Sequence, residues 1–187
     1  MSEDEILEFI QTARTNGKLL HSIPLLRQLD MEMVDKNFDL RLQVTKILYR
    51  TFSLTDRPLI HFILQQGIGV ARWSPHQGVP LDLKLCIIML YRLKQAEDSI
   101  LIWKAKFANY DTFVSIDGQF LVGAGVQATL DYLRSTNELK SLPKLVEKDG
   151  RELSIVDYIE SDKSLGKVDI IEGLEGSILN FEADAEI

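Results

Sequence analysis

Apolar residues recur at steps of three and four along most of the chain, the spacing of a helix with one buried face. Ile6, Phe9, Ile10 and Ala13 follow Ser2 and Glu5, a pair spaced as a capping box, and Asn16-Gly17 supplies a stop. A second helix is expected where Ser22 and Pro24 open a run containing Leu25, Leu26, Leu29, Met33 and Val34. Leu40, Val44, Ile47, Leu48 and Phe52 mark a third, starting near Asp39. A fourth begins at Thr55 or Asp56 with Pro58 in its first turn, and Gly67 reads as its stop. Gly67, Gly69, Pro75, Gly78 and Pro80 make residues 67–80 read as an irregular loop.

The most apolar stretch runs from Leu81 to Leu93, and Leu85 to Leu90 offers no polar face, as expected of a central core helix. Another helix is expected from about Glu97 to Ala108, carrying Trp103 and Phe107. Residues 109–126 admit two readings. Thr112 to Ile116, Asp117-Gly118 and Gln119 to Val122 have a hairpin pattern. Alternatively, Asp117 caps a short buried helix, Gln119 to Val122, that breaks at Gly123-Ala124-Gly125. The helical reading is favoured, because a lone hairpin is marginal inside a helical array. Val126, Leu130, Tyr132 and Leu133 mark a helix ending near Ser135. Leu139 to Val146 and Leu153 to Ile159 read as two short helices flanking an Asp149-Gly150 turn. The last 22 residues, with Gly166, Gly173 and Gly176 among acids and isolated apolar positions, read as a tail, either disordered or draped on the body.

The chain has 187 residues, of which 45% are hydrophobic and 26% charged, a composition suited to one folded core. Its net charge of -7 is unevenly placed. Residues 160–187 hold eight acids against Lys163 and Lys167, a sum of -6, so the rest of the chain is nearly neutral. Residues 1–160 are therefore read as one helical domain and 161–187 as an acidic C-terminal tail. Bases are scattered singly, which argues against nucleic acid or anionic lipid as partners. No apolar run is long enough for a membrane span, the single cysteine fits a reducing compartment, and the acidic N-terminus is unlike a signal peptide. A cytoplasmic protein is expected.

One pattern repeats. Asp39-Leu40-Arg41-Leu42, ending in Leu48-Tyr49-Arg50, recurs as Asp82-Leu83-Lys84-Leu85, ending in Leu90-Tyr91-Arg92. Each copy precedes a second helix that opens with an acid, Asp56 in one and Glu97-Asp98 in the other. The recurrence of a helix pair over residues 39–108 resembles HEAT and armadillo-type repeats. That resemblance implies a curved helical stack that binds another protein on one face, and no catalytic residues.

The candidate chemistry is sparse. Cys86 lies within the most apolar segment, where a structural role is expected. His21, His61 and His76 have no metal-ligand spacing, and Gly118 with Gly123-Ala124-Gly125 matches no phosphate-loop motif. No cofactor or metal is expected. Trp73 and His76 in the loop, with Tyr110 and Phe113, are the candidate partner-binding residues. Trp103, Lys104, Asp111 and Asp117 are the candidates for an alternative small-molecule pocket. The expected fold is all-α, built of antiparallel helix pairs as a HEAT-like stack or an irregular bundle. The expected role is that of a non-enzymatic protein–protein interaction module.

Overall fold

The computed structural model describes residues 2–15, 35–73, 78–185 and 187. The expected helix from Ser22 to Val34, the Asn16-Gly17 stop, His21 and His76 lie outside the described residues. The fold is all-α. Its helices are α1 (Glu3–Thr15), α2 (Phe38–Thr51), α3 (Arg57–Trp73), α4 (Leu81–Leu93), α5 (Asp98–Lys106), α6 (Tyr110–Ser115), α7 (Val126–Ser135), α8 (Ile155–Ser161) and α9 (Val168–Asp184). Short 3-10 turns at Leu54–Asp56, Gly118–Val122 and Glu138–Ser141 join them, and a two-stranded ribbon pairs β1 (Leu145–Val146) with β2 (Glu152–Leu153).

Helix α1 begins as the Ser2–Glu5 spacing predicts: the Ser2 amide donates to the Glu5 carboxylate at 2.7 Å, and the Glu5 amide to Ser2 Oγ at 3.3 Å. Ile6, Ile10 and Ala13 are its buried stripe. Helix α4 is deeply buried, with Leu83 and every residue from Leu85 to Leu90 at 1% exposure or less. It packs against α2, α3, α5 and the Gly118–Val122 turn, and its Lys84, Tyr91 and Arg92 stay half-buried.

Helix α3 corrects the sequence reading. Gly67 does not stop it; the helix runs on to Trp73 and absorbs the first half of the expected loop. A Cβ at Gly67 would lie 3.0 Å from the Leu83 Cβ, so this glycine lets α3 approach α4 closely. Burial of Ile68, Val70 and Ala71 beyond it offsets the roughly 1 kcal/mol that a mid-helix glycine costs.

The two Asp-Gly pairs take different roles. Asp117 accepts a hydrogen bond from the Gln119 amide at 2.8 Å and caps the Gly118–Val122 turn, so this segment is helical rather than a hairpin. Gly118 sits against Tyr158, whose hydroxyl would be 2.6 Å from an added Cβ. Of the two short helices expected around Asp149-Gly150, the second forms as α8, whereas the first is corrected to the Glu138–Ser141 3-10 turn and strand β1, which pairs with β2. Gly150 turns the ribbon at φ +84°, Asp149 Oδ1 accepts from the Arg151 amide at 3.0 Å, and the Glu147 amide donates to the Arg151 carbonyl at 2.9 Å. Pro143 precludes a helix continuing through it, and its carbonyl accepts from Trp103 Nε1 at 2.8 Å. The C-terminal segment, expected as a tail, forms the seventeen-residue helix α9.

Three arginine–aspartate bonds tie successive elements together. Arg14 on α1 reaches Asp56 at 2.6 Å, Arg41 on α2 reaches Asp82 on α4 at 2.6 Å, and Arg57 on α3 reaches Asp98 on α5 at 2.8 Å. The partners are 42, 41 and 41 residues apart. Arg41 and Asp82 have no exposed surface, and Arg41 Nη2 also lies 2.7 Å from Asp35. Burial pushes the Asp82 carboxyl above its ordinary pKa, and the facing Arg41 offsets this only in part.

Arg41→Met removes the cation and leaves the Asp82 carboxylate buried. It should cost about 3–5 kcal/mol at pH 7, measured by the urea midpoint. The orphaned carboxyl has a raised pKa in the fold, so the folded state takes up a proton that the unfolded state releases. The loss should therefore shrink as pH falls from 7 toward 5.

Candidate functional site

The bond from Asn109 Nδ2 to the Ala71 carbonyl, 2.8 Å long, holds the start of α6 against the end of α3. Asn109 is also the α6 cap: its Oδ1 accepts from the Thr112 amide at 2.8 Å, and Thr112 Oγ1 returns an acceptor to the Asn109 amide at 2.9 Å. Trp73 and Tyr110 each lie within two residues of that inter-helix bond, and they are 60% and 78% exposed. Val114, one turn along α6, is 64% exposed. Three large apolar side chains thus stand in water near the junction of α3 and α6.

Beneath them the support is rigid. Phe113 is half-buried, and its ring meets Phe107 edge-on at 5.4 Å. The buried Lys106 donates to the Phe113 and Ile116 carbonyls, both at 2.7 Å, and closes the end of α6. Burial lowers the Lys106 pKa, as expected for an ammonium committed to backbone carbonyls.

The alternative pocket residues do not gather into one cavity. Trp103 has no exposed surface; its ring packs on Phe107 and Tyr158 with centroids 4.5 and 5.4 Å away. Lys104 and Asp111 are half-buried and Asp117 is exposed. Of the four, Asp117 alone lines the cavity of about 440 Å³ between α9 and the body. Ser115 and Phe120 flank it there, with Lys84 and Ile88 of α4 and, from α9, Asp169, Ile170, Leu174 and Phe181 among the residues opposite.

Helix α9 is held over this cavity by buried Leu174 and Ile178 and by a set of polar bonds. Glu182 accepts from Arg92 Nη1 at 2.7 Å and from the Tyr49 hydroxyl. Lys46 Nζ donates to the Ala185 carbonyl at 2.9 Å, and Lys84 Nζ sits 4.0 Å from the centre of the Phe181 ring. Burial alone would raise the Glu182 pKa, but the bonds from Tyr49 and Arg92 outweigh it and hold the carboxyl below its ordinary value. Burial and the Glu182 bond push the Tyr49 phenol up.

A third polar cluster joins α3 to α5. Asp98, 1% exposed, takes Arg57 Nε at 2.8 Å and His61 Nε2 at 2.6 Å. An imidazole on a carboxylate is half of a nucleophile-activating relay, but Cys86 is fully buried and burial raises its thiol well above the usual range. Among the described residues no group of three or more His, Cys, Asp and Glu side chains could hold a metal ion, and no helix is long and apolar enough to cross a membrane.

Comparison with protein-family models, with curated proteins and with solved structures found no match.

The partly buried ion cluster at Glu182 makes the seating of α9 depend on acid. A depressed carboxyl contributes stability above the ordinary glutamate pKa of about 4.3, and loses it as pH falls through the lower folded value. Amide exchange in α9 should therefore quicken, relative to α4, between pH 5 and pH 3. Glu182→Gln should cost about 1 kcal/mol at pH 7 and flatten that dependence.

Proposed function

We propose that the protein is a non-enzymatic helical interaction module that binds another protein through the end of α3 and α6. One observation carries this reading: Trp73 at the end of α3 and Tyr110 and Val114 on α6 are each largely exposed, and the Asn109–Ala71 bond joins the two helices where they stand. Large aromatic side chains gain most when a partner desolvates them, and they lose little conformational freedom in doing so. Rigid presentation lowers the cost of binding further.

The HEAT-like reading gains support from the ion pairs. Arg41–Asp82 joins the first helices of the two pairs, and Arg57–Asp98 joins the second helices, at the same separation of 41 residues. Equal offsets on both helices are what the stacking of one helix pair, α2 with α3, on a like pair, α4 with α5, produces. In such a stack each unit contacts its neighbours and leaves its outer surfaces to partners.

The test is the double variant Trp73→Ala/Tyr110→Ala, used beside the wild type as bait in affinity capture with mass spectrometry. A stoichiometric protein retained by the wild type should fall at least tenfold with the variant, while the melting temperature moves by no more than about 2 °C, since both side chains are exposed. Equal retention of that protein by both baits refutes the assignment of this end as the interface.

A further inference from the structure

Helix α9 and the surface beneath it have opposite charge. Residues 168–184 contain Asp169, Glu172, Glu175, Glu182 and Asp184 and no base. The surface beneath presents Lys46 from α2 and Lys84 and Arg92 from α4: Arg92 bonds Glu182 and lies 3.9 Å from Glu175, Lys84 sits over the Phe181 ring, and Lys46 bonds the Ala185 carbonyl just past the helix end. Among the described residues, the one acid that the body contributes to the cavity lining is Asp117.

The shapes match less well than the charges. Of the seventeen residues of α9, Leu174 and Ile178 alone are buried. The cavity of about 440 Å³ remains between helix and body, and added side chains at Gly173 and Gly176 would meet nothing. Val168 and Leu179 stand 70% and 61% exposed. A segment selected solely to complete the core would fill the cavity and bury more of its apolar residues. Two interior glycines also leave α9 a weak helix by itself, so its order depends on the contact.

We propose that the α2–α4 face formed by Lys46, Tyr49, Lys84, Ile88 and Arg92 is a docking groove for an acidic amphipathic helix of a partner protein, and that α9 is its built-in, displaceable occupant. The spacing of Leu174, Ile178, Phe181 and Glu182 states what the groove accepts: apolar residues at i, i+4 and i+7, and a carboxylate at i+8 for the Tyr49–Arg92 pair. A partner whose side chains reach into the cavity gains contacts that α9 leaves unmade. Trp73 and Tyr110 do not line this cavity.

The test uses the full chain and a fluorescein-labelled peptide of residues 166–187 as the acidic helix. Ile178→Asp loosens α9 from its own side and leaves the groove intact, so the peptide should bind this chain at least tenfold more tightly than the wild type, by anisotropy. Adding Arg92→Glu to that chain, or Glu182→Gln to the peptide, should reverse the gain. Equal binding to wild type and variant overturns the proposal, as does binding indifferent to Arg92→Glu. Hydrogen exchange on the wild type needs no variant: α9 amides should exchange at least a hundredfold faster than those of Leu85 to Leu90. Equal protection would make α9 part of the global core and overturn displaceability. Concentration-dependent dimers that exchange α9 would make the occupant a second copy and overturn the partner assignment.

Discussion

The Arg41–Asp82 pair sets the frame on which the other elements are placed. Helix α4 is apolar over every residue from Leu85 to Leu90, and burial by itself is non-directional: over that stretch it does little to choose a rotation. A buried arginine held at 2.6 Å by a buried aspartate admits one rotation and one axial position, because every other arrangement leaves a charge unpaired in the core. With α4 set, Gly67 can meet Leu83, Lys84 and Arg92 point toward α9, and Gly123 lies against the Tyr91 carbonyl. The cost of burying charge is accepted where hydrophobicity could not choose.

That division explains which parts of the fold were legible. Helix α4 could be read directly, because the unbroken apolar run from Leu85 to Leu90 has flanks that carry the pattern beyond strand length. Helix α1 could be read from Ser2 and Glu5, whose chemistry is local. Gly67 could not be, since its role is to face Leu83 across a helix interface, and a glycine that permits close packing looks the same in sequence as one that ends a helix. The two Asp-Gly pairs make the same point. Gly150 has the positive φ that a tight turn uses, and the ribbon formed there; Gly118 is required by the Tyr158 hydroxyl, forty residues away, and its aspartate became a cap. Local turn chemistry supplies options, and tertiary contacts select among them.

The candidate site divides in the same way. Aromatic content singled out Trp73, Tyr110 and Phe113 and also Trp103, but nothing in composition says which rings face water. Trp103 went fully inside because its indole nitrogen found the Pro143 carbonyl, which satisfied the polar atom that would otherwise have kept it near the surface. The segments that carry Trp73 and Tyr110 are joined by a bond between Asn109 and Ala71, 38 residues apart, which no local pattern encodes. The repeated Asp-Leu-Arg and Asp-Leu-Lys strings were visible, but their meaning lay in the offset. Arg41 of the first string bonds Asp82 of the second, so the recurrence marks both where the helices start and how they are joined.

The segregated acidity of the chain also changes meaning once α9 is seen. Eight acids in residues 160–187 would, in a free tail, serve mainly to keep it solvated and self-repelling. Placed on a helix, five of them share one short element, and Glu182 is committed to Tyr49 and Arg92. The bases that meet them, Lys46, Lys84 and Arg92, belong to a body whose net charge is near zero, so the attraction is a property of this face rather than of the whole body. Salt bridges at a half-exposed surface are individually weak and exchange readily with water, whereas apolar burial is what makes a contact permanent. A helix that buries Leu174 and Ile178, relies on Arg92 for its salt bridges and lies above a cavity it does not fill is attached firmly enough to be ordered and loosely enough to be exchanged.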